Sequence, residues 1–150
     1  VSGLTVRALS GTEGSFSAQF EGSRPWDTEE PLVMWNVPSI QGSFDDFRED
    51  ASPRKRYTPL AIDSPLHERI RLSIELPPGY DPVSVPRAVD IRNPAGRVRV
   101  SSSASGNTVE ITRELIIDGR VFSPEEYSDL RELVVNWQAS DTRRIVLEKN

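Results

Sequence analysis

The sequence predicts an all-β protein: a β-sandwich with Greek-key or immunoglobulin-like connections and one C-terminal amphipathic helix followed by a final strand. Three observations carry that prediction. Apolar residues recur at every second position in several short runs, most clearly Ile70, Leu72, Ile74 and Leu76 against Arg71, Ser73 and Glu75, which is the period of a strand with one buried face. Turn-forming residues and 12 prolines separate these runs, leaving little room for long helices. One segment near the C-terminus changes to helical spacing. A chain of 150 residues buries roughly 68–70% of its unfolded surface, enough for one core without staples. One accessory-sized domain over 1–150 is therefore expected, with 1–55 its less regular part.

In chain order, Leu4, Val6 and Ala8, then Phe16, Ala18 and Phe20, alternate between glycine-rich turns and suggest two strands. Leu32 to Val37 is apolar on both faces, with Trp35 inside it, and reads as a central or interface strand ending at Pro38. Residues 39–59 carry no periodic pattern and read as a long loop. The strand from Arg69 to Leu76 stops at Pro77, Pro78 and Gly79. Val83, Val85, Val89 and Ile91 suggest another, in which Pro86, lacking an amide donor, belongs at an edge or bulge.

Asn93, Pro94 and Gly96 make a turn, and Val98 with Val100 a short strand. Ser105, Gly106 and Asn107 then turn the chain into the alternation Val109, Ile111, Arg113, Leu115, Ile117, so a hairpin is expected. Asp118-Gly119 is the signature of a type I′ turn and predicts a second hairpin into Val121 and Phe122. Ser123-Pro124-Glu125-Glu126 places a capping hydroxyl, a proline at the first helical position and a glutamate at the third. The helix it opens carries Tyr127, Leu130, Leu133, Val134 and Trp137 on one stripe over about four turns. After a loop at Ser140 to Thr142, Arg144 to Glu148 form the last strand, and a preceding helix would permit parallel pairing through a crossover.

Composition excludes several chemistries. With no cysteine and a single histidine, His67, the chain has no thiol nucleophile, thiolate metal site, disulfide or pair of imidazoles. The net charge of −5 disfavours nucleic acid as a partner. No apolar run approaches the ~20 residues of a membrane-crossing helix, and the N-terminus lacks the basic and apolar regions of a signal peptide. A chain beginning at Val1 is expected to be a piece of something longer.

His67 is read as a surface histidine. A catalytic base would need a nucleophile, and no Gly-x-Ser-x-Gly elbow occurs. Asp45, Asp46, Glu49 and Asp50 lack the order of a calcium loop and read as a solvated acidic segment, neutralised by Arg54, Lys55 and Arg56. Gly11-Thr12-Glu13-Gly14 lacks the spacing and lysine of a phosphate-binding loop. Trp137 and Trp35 read as core. Trp26, beside Pro25 and a run of acids, and Phe44 with Phe47, flanking two aspartates, form the candidate interaction surface. No catalytic, cofactor-binding or metal-binding residue is assigned, and no cofactor is expected.

Arg56-Tyr57-Thr58-Pro59-Leu60, Ile74-Glu75-Leu76-Pro77-Pro78-Gly79-Tyr80, Ile111-Thr112-Arg113-Glu114-Leu115, Glu126-Tyr127-Ser128-Asp129-Leu130-Arg131 and Arg144-Ile145-Val146-Leu147, taken in series, resemble the C-terminal domain of unknown function of bacterial transglutaminase-like proteins. The resemblance covers about residues 56 to 148. It implies a β-sandwich accessory domain in an exported or periplasmic protein, whose partner is the neighbouring papain-like catalytic domain or another protein. That family's cysteine, histidine and aspartate triad has no counterpart here. The expected function is thus a non-catalytic docking or structural module. The alternatives are an independent carbohydrate- or peptide-binding sandwich and, in a third class, a hydrolase built on paired carboxylates.

Overall fold

The computed structural model describes residues 4–8, 14–18, 30–37, 53–62, 65–119 and 121–150. It comprises two compact units, Val1–Glu30 and Pro31–Asn150. In the first, β1 (Leu4–Ala8) pairs antiparallel with β2 (Gly14–Ala18).

The second unit is mostly β, and its described strands pair antiparallel throughout. Its elements are β3 (Leu32–Asn36), β4 (Leu60–Ala61), β5 (Leu66–Glu75), β6 (Tyr80–Ser84), β7 (Val89–Asn93), β8 (Gly96–Ser105), β9 (Thr108–Ile117), β10 (Val121–Phe122), α1 (Tyr127–Gln138), a short 3-10 turn and β11 (Arg144–Lys149). One sheet has the order β5-β9-β8-β7 and another β3-β11-β6, while β10 pairs with β4. Strands β7, β8 and β9 follow one another as hairpins, and β5 lies beside β9 after the chain detours through β6 in the other sheet. That is Greek-key order.

Period-2 alternation decides which residues are buried. On β9, Val109, Ile111, Leu115 and Ile117 are sealed from solvent, and Val98 and Val100 of β8 join them on the same face. Helix α1 lays Tyr127, Leu130, Leu133, Val134 and Trp137 on that face, building a core with Leu60, Val89, Ala95 and Phe122. Each such leucine contributes about 1.5–3 kcal/mol of burial free energy. Arg113, also inward, survives because its Nη2 donates to the Trp137 carbonyl and its guanidinium stacks 4.2 Å from the Trp137 ring.

Several expectations are corrected. The stretch from Val83 to Ile91 is two strands in different sheets, and Pro86 lies buried in the connection between them. That connection is anchored at its middle: Ser102 Oγ donates to the Pro86 carbonyl at 2.7 Å, and Arg87 Nε to Asp141 Oδ2 at 2.7 Å. Strand β8 extends through its serines to ten residues, because β9 pairs with it along its whole length, beyond Val100 where the pairing with β7 ends, and this overrides their weak strand preference.

Asp118-Gly119 does not make a hairpin. Val121 and Phe122 pair with Ala61 and Leu60, and Gly119 is not at positive φ; a Cβ there would sit 2.8 Å from the Phe122 ring, so packing is what requires the glycine. The helix has three turns rather than four, starting at Tyr127. The preceding turn is closed by the expected capping box: Glu126 N donates to Ser123 Oγ at 3.3 Å and Ser123 N to Glu126 Oε2 at 2.9 Å. Strand β11 runs antiparallel to both neighbours, and β3 is an edge strand in which Trp35 is half-buried rather than core.

Candidate functional site

The residues chosen from sequence as an interaction surface, Trp26, Phe44 and Phe47, lie outside the described residues, as do Asp45, Asp46, Glu49 and Asp50. Trp137 is in the core, as its place on the helix stripe requires. What the described structure offers instead is the outer face of the four-stranded sheet.

That face follows from the same alternation that fills the core. Inward apolar positions on β5, β9, β8 and β7 leave charged residues outward, and the register aligns them in rows across the sheet. One row reads Arg69, Glu114, Arg99, Asp90. The next reads His67, Ile116, Arg97, Arg92, and a third Arg71, Thr112, Ser101. Five arginines and His67 thus meet only two carboxylates in these rows, on a chain whose net charge is −5.

Glu114 is the centre of the arrangement. The residue is 7% exposed, and its carboxylate accepts from Arg69 Nε at 2.8 Å and Arg69 Nη2 and lies 3.1 Å from His67 Nε2. Burial alone would raise its pKa, but the hydrogen bonds from His67 and Arg69 and their charge outweigh it and hold the group below the usual glutamate range. Beyond it, Arg97 grips Asp90 in a fork with contacts at 2.9 and 3.0 Å, while Arg99 Nε is 3.9 Å from the same carboxylate. Arg71 and Arg92 form no ion pair among the described residues.

His67 is a surface residue, its side chain 57% exposed, and it is the second residue of β5. No hydroxyl among the described residues is hydrogen-bonded to its ring. The His67, Glu114 and Arg69 cluster has the geometry of a charge ladder across strands. Sequence inspection misses this cluster because Glu114 is 47 residues from His67, and only strand register brings them together.

A second exposed feature lies on the sheet β3-β11-β6, where Leu32 is 53% and Met34 68% exposed. Among the described residues no group of three or more His, Asp or Glu side chains is disposed to hold a metal, and no helix is long and apolar enough to cross a membrane.

Comparison with known proteins places these features in context. No curated protein matches the chain. The fold is similar to that of a crystal structure described as a putative protease from Parabacteroides distasonis, with a TM-score of 0.71 and 25% sequence identity. The match covers 78% of this chain but 23% of that one, so the chain spans less than a quarter of the protein it resembles. A family model for a domain of unknown function, DUF3858, matches residues 35–147 and so takes in the sandwich, the helix and most of the last strand. The chain belongs to the DUF3858 family of domains of unknown function.

Proposed function

We propose that this chain is a non-catalytic accessory domain that docks against the catalytic part of a longer, exported, transglutaminase-like or protease-like protein. The observation that carries the reading is the likeness, over 78% of this chain, to 23% of a chain described as a putative protease. Membership of a domain family supports it, as does the resemblance of the motifs from Arg56 to Leu147 to an accessory domain of transglutaminase-like proteins. The outer face of the four-stranded sheet supports it physically. Its side chains are spread over four strands and several are tied to one another in cross-strand pairs, an arrangement that suits recognition of a complementary surface rather than bond-making chemistry.

The test has two arms. Incubated with casein and with peptide glutamine and amine donors, the purified chain is expected to release no product. Mixed with the separately purified catalytic domain of its own longer protein, it is expected to co-elute with it on size exclusion. Turnover by the isolated chain, abolished by a substitution in it, would overturn the reading; so would failure of the two pieces to associate.

A further inference from the structure

Strand β5 runs for ten residues along the edge of the four-stranded sheet, paired with β9 on one side and with no other strand among the described residues. An edge of that length presents a row of backbone donors and acceptors to any strand laid beside it. Its two faces are unlike. The inward row, Leu66, Glu68, Ile70, Leu72 and Ile74, is apolar at four of its five positions and only half-buried, whereas Ile117, Ile111 and Val109, paired on β9 with Leu66, Leu72 and Ile74, are sealed. The core is thus incompletely covered along this edge. The outward row carries His67, Arg69 and Arg71, of which Arg71 has no ion pair among the described residues.

These rows select the occupant. A second copy of β5 paired across this stretch would set cation against cation, which is unfavourable for directly opposed residues. An extended segment alternating apolar residues with Asp or Glu satisfies all three features together: its backbone completes the ladder, its apolar residues cover the half-open row and its carboxylates meet Arg69 and Arg71. We propose that β5 accepts such a strand, by β-augmentation, from the adjoining catalytic domain of the longer protein. This inference rests on the docking reading above and names its seat. A tethered partner needs only modest intrinsic affinity, because the tether raises its effective concentration.

The probe is a short labelled peptide of alternating Glu and Val, followed by fluorescence anisotropy and by hydrogen exchange. Binding with slowed exchange over Leu66–Glu75 is expected. Arg71→Glu is expected to weaken it about tenfold at an unchanged melting temperature, as reversal of a paired charge should. Arg71→Ser serves as the second variant should the first unfold. Neither a Lys–Val peptide nor a Glu–Val peptide N-methylated along one edge should bind, and the intact two-domain protein should refuse the peptide because the edge is filled. The proposal is overturned by equal binding of the Lys–Val peptide, by indifference to both substitutions, or by equal binding to the two-domain protein. Should the chain and the catalytic domain still co-elute in those cases, only the seat is wrong; loss of co-elution sinks the docking reading as well.

Discussion

Glu114 and Arg113 are neighbours on β9 that point to opposite faces, and each solves the problem of a buried charge differently. Arg113 lies against the Trp137 ring and donates to its carbonyl, so the cation is held by an aromatic face and a helix-end acceptor. Glu114 is held by Arg69 and His67. Because its folded pKa is depressed, the stabilisation it brings is complete above the usual glutamate range and is lost as pH falls through the lower folded value. Glu114→Gln keeps the shape without the charge. The expected outcome is a variant less stable than the parent at neutral pH, with the gap in urea midpoint closing in acid once the parent's carboxyl is protonated. A gap independent of pH would show that the ion pairs contribute nothing.

At the scale of elements, turns govern the register, and not all glycines matter for the same reason. Gly96, where β7 turns into β8, has φ of 144°, and a Cβ there would lie 2.0 Å from the Ile116 carbonyl oxygen. Neither the backbone conformation nor the β9 main chain can yield cheaply. Gly96→Ala is therefore expected to destabilise the domain by more than about 2 kcal/mol, read as a fall in melting temperature. Gly106→Ala, at positive φ but in open space, is the control with the smaller loss. The hairpin at Gly106 was legible from local residues. The strand after Gly119 was not, because Val121 and Phe122 take their partners from Leu60 and Ala61, far away in the chain.

For the molecule as a whole, strand position ranks local stability. Strand β9 is paired on both sides along its length and is packed beneath by the core, whereas β4 with β10 is a two-residue ladder. Hydrogen exchange is expected to be slowest at Val109, Ile111, Leu115 and Ile117 and much faster at Ala61 and Val121. Comparable rates at the two sites would mean that the sheet opens as a unit.

The sequence by itself determined the all-β class, the helix with its capping box and buried stripe, and the inward rows of β5 and β9. Each of these rests on periodicity or on residues within a few positions of one another, which local sterics and solvent partition read directly. Only the tertiary structure decided that residues 83–91 split between two sheets, that β11 sits antiparallel between β3 and β6, and that His67, Arg69 and Glu114 share one site. Those outcomes depend on strand order and register, which are fixed by contacts between residues distant in the chain, and alternation says which face a side chain takes but not which strand it will meet.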